Sequence, residues 1–316
     1  MTTGNTGTAG TAGTAGPRWW PALDPDTLGR VRALADAAAA EDATEAFSEA
    51  SVLDLDDKIV RGTTRHLLLT GDDELYGYAH VDVSDSADVV VELAVAPGHR
   101  RGGAGTALVR AVLDAHDGAR FWAHGDHPGA RRIADRLGLP RDRELWMMRR
   151  DGGAGPLPAR PAPPDVVIEP FRVGVDEEAV VAVNGRAFAW HPEQGAMTAA
   201  DVRVREGEPW FDAAGFLLAR DARSGELLGF HWTKVHERSA STPERVGEVY
   251  VVGVDPAAQG RGLGSALTLA GLHHLHGRGL DTVTLYVEGD NPAAIATYRK
   301  LGFDRIATDV SYRRGT

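Results

Sequence analysis

Two stretches of the chain carry the same punctuation, and that repetition constrains the fold more than any other feature. Pro97, Arg100, Gly103 and Gly105 stand to one another as Pro256, Gln259, Gly262 and Gly264 do, at an offset of 159 residues. A second block repeats at an offset of 164, where Asp126, Pro128, Ala130, Leu137 and Gly138 recur as Asp290, Pro292, Ala294, Leu301 and Gly302. Each copy reads as a buried β-branched strand, a tight glycine loop and a helix start. Two such blocks in register imply a tandem duplication of an α/β unit, a mixed sheet with flanking helices.

Between the copies, residues 151–164 are rich in Gly and Pro without apolar periodicity and read as a linker. The expected organisation is a disordered Thr/Gly/Ala tail over 1–16, a first domain over 17–150 and a second over 165–316. In the first domain the pattern predicts a helix over 27–40 with Asp26 as N-cap and a short helix within 47–60. A hairpin of strands over 65–70 and 75–83 follows, then a strand over 89–95 and a helix over 106–114. In the second it predicts strands over 216–219, 229–235, 248–254, 282–287 and 308–313, with helices at 176–188 and 198–206 and after the third and fourth strands.

Composition narrows the partners. A formal net charge of -11 argues against a nucleic-acid backbone, no run of eighteen apolar residues suits a membrane, and nothing at the N-terminus reads as a secretory signal. A small-molecule partner, a cytoplasmic location and a monomer are expected. With no cysteine, disulfides and thiolate chemistry are excluded. His273, His274 and His276 cluster on a helix pattern without carboxylates at ligand spacing, so no metal is expected.

The second copy, from Glu248 to Ala266, puts glycine-freed N–H groups at a helix N-terminus, an anion cradle. Its spacing matches neither the dinucleotide fingerprint nor the P-loop. Glu248, where an apolar strand begins, is a candidate general base, and Tyr298, seven residues after Asn291, a candidate proton donor. Backbone N–H groups of Val252–Val254 can serve an oxyanion if the strand is bulged and splays from its neighbour. In the first copy Val89 stands for Glu248, Ala134 for Tyr298 and His127 for Asn291. The first copy is therefore expected to be catalytically silent.

The strand, Gln-x-x-Gly-x-Gly loop and helix, followed by a strand at Leu285–Val287 and by 291–303, resemble the coenzyme A site of the GNAT superfamily of acyl-CoA N-acyltransferases. Gly229–His236, Gly247–Tyr250, Asp255–Gln259 and Leu285–Glu288, on two GNAT-like halves, resemble more narrowly the mycothiol synthases of actinobacteria, over nearly the whole chain after residue 20. That resemblance implies acetyl-CoA as co-substrate and an aminothiol glycoside as acceptor. It implies acceptor contacts at Glu49, Glu193, Lys234, Glu248 and Tyr286. In the first half it implies cofactor contacts at Leu93, Ala94, Val95, Arg101, Gly102, Gly103, Ala104, Gly105 and Thr106. In the second half they fall at Val252, Gly253, Val254, Gln259, Gly260, Arg261, Gly262, Leu263, Gly264 and Ser265, and at Asn291, Pro292, Ala293, Ala294, Ile295 and Ala296. Two other readings stay open, an acetyltransferase of another small amine or peptide N-terminus and a coenzyme A sensor without catalysis.

Overall fold

The computed structural model describes residues 16–56, 63–71, 74–159, 162–190, 192–238 and 244–315, without the side chains of residues 192 and 193. The expected tail up to residue 15, the hairpin turn at 72–73 and part of the linker lie outside the described residues. The chain forms two compact units, residues 1–142 with 310–316 and residues 143–309.

The first unit contains β1 (Arg18–Trp20), α1 (Pro25–Asp42), α2 (Glu49–Leu55), β2 (Thr64–Gly71), β3 (Glu74–Asp82) and β4 (Val90–Val95). After these come α3 (Ala104–Ala115), β5 (Arg120–Ala123) and α4 (Pro128–Leu137). Strands β1 to β4 are antiparallel in sequence order, and β4 pairs parallel with β5. The N-cap of α1 is Asp24, not Asp26. Its carboxylate accepts from the Thr27 amide at 2.8 Å, and Pro25 begins the helix, where no N–H is needed.

The second unit takes in most of β6 (Arg141–Arg150), then β7 (Val166–Pro170), α5 (Glu177–Ala187), α6 (Pro192–Gly195), α7 (Ala199–Glu206) and β8 (Phe216–Asp221). It continues with β9 (Leu227–His236), β10 (Val246–Val254), α8 (Leu263–Gly277), β11 (Val283–Glu288), α9 (Pro292–Lys300) and most of β12 (Asp304–Arg313). Strands β7 to β10 are antiparallel neighbours, and β10 runs parallel to β11.

The unit boundary differs from the expected linker at 151–164, because two long strands cross it. Arg143–Arg150 pairs antiparallel with β11 inside the second unit, while Val310–Arg313 at the end of β12 pairs with β5 inside the first. The Gly/Pro-rich stretch of 151–164 therefore does not coincide with the boundary between the units.

One sheet face of the second unit packs Val235, Val249, Val283 and Leu285 against α8 through Leu269, Leu272 and Leu275. The opposite face buries Phe216, Phe230 and Trp232 with Val180 and Val183 of α5. Helix α8 approaches β9 closely at Gly271, where an added Cβ would lie 2.0 Å from the ring of His231. Burial pushes His231 down to about 4, so the ring is neutral in the core, with Nδ1 at 2.7 Å from the Leu267 carbonyl. Gly→Ala inside a helix ordinarily stabilises by about 1 kcal/mol. Gly271→Ala is instead expected to destabilise by about 1–3 kcal/mol through overpacking. Gly277→Ala, in open space at the end of the same helix, should not. Urea unfolding of both variants checks the reversal of sign, and equal midpoints would refute it.

Candidate active site

Strand β10 pairs with β11 at only three registers, Gly247 with Val283, Glu248 with Thr284 and Val249 with Leu285, although both strands run on beyond them. On its other edge a bulge at Tyr250 shifts the β9 register between Val249 and Val251. The splay predicted from the sequence thus begins at Val249, and Val252–Val254 border a cavity of about 260 Å³. The cavity is closed by Phe188 and Trp190 after α5, Gln259, Gly264, Ser265 and Thr268 at the start of α8, and Asn291, Ala294, Thr297 and Tyr298 of α9. Helix α8 starts after Gly262 at φ 80° with no side-chain cap, and a helix N-terminus of this kind favours an anion. A Cβ built at Gly264 meets only a Val254 methyl, at 3.8 Å, so this glycine keeps space in the cavity rather than avoiding a protein clash.

Glu248 is buried and stands opposite Lys234 on β9 and Thr284 on β11, so the three side chains leave the same sheet face. His236, two residues beyond Lys234, hydrogen-bonds Glu248 Oε2 through Nε2. Lys234 is also buried, with Nζ 4.8 Å from the ring centre of Trp210 and 5.2 Å from that of Tyr250. Arg205 holds the Tyr250 hydroxyl at 2.8 Å. The electron-rich faces of the two rings attract the ammonium. Tyr286, two residues after Thr284 on β11, is exposed. Tyr298 packs on Phe303, and burial pushes its phenol up to about 12, which keeps it protonated throughout the neutral range.

Among the expected cofactor residues of this unit, Val252, Gly253, Val254, Gln259, Gly264, Ser265, Asn291 and Ala294 line the cavity. Leu263 and Ile295 point into the core instead, since each occupies the inward position of its helix. Gly260, Arg261, Gly262, Pro292, Ala293 and Ala296 are not among the lining residues. Glu193 belongs to α6, but its side chain lies outside the described residues. Glu49 is in the other unit, at the first position of α2. Phe188, Trp190, Trp210, Tyr250 and His236 have no counterpart in the motif pattern. A reading by spacing could not find them, although His236 and Tyr250 sit inside the segments that carried the resemblance.

The first unit holds a larger cavity, about 730 Å³, lined by Leu93, Ala94, Val95, Arg101, Gly103, Gly105 and Thr106 but not by Gly102 or Ala104. Volume does not decide chemistry here. Its loop places Arg101 at φ 63° where the second copy has Gly260 at φ 80°, and Arg100 is clamped by Asp42 at 2.6 and 2.9 Å. A Cβ at Gly105 would come within 2.9 Å of Ile133 Cδ1, the flexible tip of that side chain, which would have to shift. Sequence reading missed Glu92, a buried carboxylate whose partners include His124 at 3.2 Å and the Ser48 amide at 2.9 Å. Burial raises its pKa, but His124, Ser51 and the Ser48 amide outweigh that and bring it down to about 2. So acidic a carboxyl is a weak base at neutral pH.

The model for the acetyltransferase (GNAT) family matches residues 33–139 and again 186–303. The chain belongs to that family. It is 51% identical to the mycothiol acetyltransferase of Nocardia farcinica over 93% of this chain and 96% of the relative. It is 52% identical to that of Salinispora arenicola over 92% and 94%. Its fold is similar to a GCN5-related N-acetyltransferase from Sphaerobacter thermophilus, with TM-score 0.67, 24% identity and coverage of 94% and 95%. A tandem GNAT protein from the clavulanic acid biosynthesis pathway also scores 0.67, at 21% identity, with 95% and 99% covered. As a GNAT acetyltransferase the chain uses acetyl-CoA as co-substrate, and the uncapped α8 with open space beside Gly264 fits a pyrophosphate. Among the described residues no cluster of His, Asp or Glu could hold a metal, and no helix is long and apolar enough to cross a membrane.

Two outcomes are expected. Gly264→Val should fold normally but weaken coenzyme A binding to the second unit by about tenfold or more, which is about 1.4 kcal/mol or more. Calorimetric titration reads it, and unchanged binding would mean that the loop is not the cradle. The second outcome concerns Glu92, held at about 2, below the ordinary carboxyl value of 4.5. Its stabilisation should be complete above pH 4.5 and lost as pH falls through about 2. Glu92→Gln should flatten that acid limb in unfolding measured against pH.

Proposed function

We propose that this acetyltransferase moves the acetyl group of acetyl-CoA to the cysteinyl amine of desacetylmycothiol, the cysteinyl-glucosaminyl-inositol conjugate, and that the unit of residues 143–309 carries the chemistry. The observation that carries the reading is near-full-length identity of about half to mycothiol acetyltransferases. The geometry supports the division of labour. Glu248 is the base that takes a proton from the acceptor ammonium, so that the free amine can attack the thioester carbonyl. Backbone N–H groups of Val252–Val254, on the strand that leaves β11, stabilise charge developing on the carbonyl oxygen. Tyr298, kept protonated by burial, gives its proton to sulfur as the C–S bond breaks. Lys234 in its aromatic seat and exposed Tyr286 contact the hydroxyl-rich acceptor. Glu49 and Glu193 are assigned to the acceptor by family resemblance.

The first unit is read as a non-catalytic partner that keeps a coenzyme-shaped cavity. Its one buried carboxylate at the start of the splay, Glu92, is already committed to His124 and Ser48.

Replacing Glu248 by Gln keeps shape and removes the base. Turnover at neutral pH should fall on the order of 100-fold while coenzyme A affinity is unchanged. The defect should shrink as pH rises past ~8, where an α-amine is increasingly neutral without help. Steady-state kinetics with the intact conjugate, and with the glucosaminyl-inositol lacking cysteine as a control acceptor, provide the check. Full turnover in the variant would remove Glu248 from the mechanism, and equal use of both acceptors would redirect the substrate assignment.

A further inference from the structure

We propose that His236 is a positioning residue for the base, holding one oxygen of Glu248 so that the other is presented to the acceptor amine. The inference rests on the reading of Glu248 as that base. His236 ends β9, and its ring nitrogen Nε2 meets Glu248 Oε2 on the neighbouring strand. The carboxylate side chain is 7% exposed and the imidazole 39%, so the pair runs from the sheet face toward solvent.

A buried carboxylate left without a hydrogen-bond donor is costly, and it turns to whatever donor it can reach. The competing donor on this face is Lys234, directly across from Glu248 in the β9 register. A carboxylate turned toward that ammonium would no longer be aimed at the acceptor amine. Two contacts oppose that turn. Trp210 and Tyr250 hold the lysine head over their rings, and His236 holds the carboxylate from the strand end. His236 donates Nε2–H to Oε2 in this role, and no proton need cross the ring. The groups beside it are Glu248 and Lys234 on the sheet face and the Glu237–Arg245 pair just past the strand end.

The test compares two substitutions in the full chain. His236→Ala removes the donor, whereas His236→Gln keeps a terminal N–H at similar reach. In His236→Ala, kcat should fall about tenfold to a hundredfold, the scale of a misplaced catalytic group, with KM for acetyl-CoA unchanged. His236→Gln should recover most of the lost kcat. His236→Gln should keep the wild-type unfolding midpoint, whereas His236→Ala should lower it modestly because a buried carboxylate loses a donor, and both should stay folded at the assay temperature. The double variant His236→Ala with Glu248→Gln should be no slower than Glu248→Gln alone, since the histidine acts through the carboxylate. A glutamine variant as slow as the alanine variant, or an alanine variant restored by added imidazole, would overturn positioning in favour of proton transfer through the ring. Full kcat in His236→Ala beside an inactive Glu248→Gln would sink this proposal alone, while full kcat in Glu248→Gln would sink the reading beneath it.

Discussion

The site depends on how little of β10 is paired with β11. Two parallel strands that begin together at Gly247 and Val283 have parted after three registers, and the bulge at Tyr250 turns β10 on its other edge. Backbone donors and acceptors that a continuous ladder would consume are therefore left at Val252–Val254, beside a cavity they help to line. An unpaired strand edge inside a protein is a liability unless a ligand or another chain segment satisfies it. The same geometry recurs in the first unit, where β4 pairs with β5 at Val90, Val91 and Glu92 and then runs on through Leu93–Val95 without β5, paired only with β3. The duplication has preserved the splay, and with it a cavity, in both units.

What differs between the copies is the state of the charged groups around that splay. In the second unit Lys234 lies over two aromatic faces and Glu248 is hydrogen-bonded to the His236 imidazole. In the first unit Glu92 is saturated by hydrogen bonds that hold it at about 2, and Arg100 is locked to Asp42 in a bidentate pair. Charges spent on each other hold a structure together but have little left for a substrate.

The division of the chain follows from the strands rather than from composition. Arg143–Arg150 completes the sheet of the second unit, and Val310–Arg313 completes that of the first. A Gly/Pro-rich segment signals where regular structure stops, but only long-range pairing decides which core a strand joins.

By itself the sequence determined the repeated strand, loop and helix and the mixed α/β class, and it singled out the loop glycines, Glu248 and Tyr298 as candidates. All of these are written in local spacing, where the strand period of two, turn glycines and helix starts act over a few residues. Tertiary structure alone decided that β6 and β12 cross the unit boundary and that Asp24 rather than Asp26 caps α1. It alone joined His236 to Glu248, and Trp210 and Tyr250 to Lys234. Those pairings join residues on different strands and helices, through register, a bulge and side-chain direction, and no spacing along one chain encodes which neighbour a sheet will bring alongside.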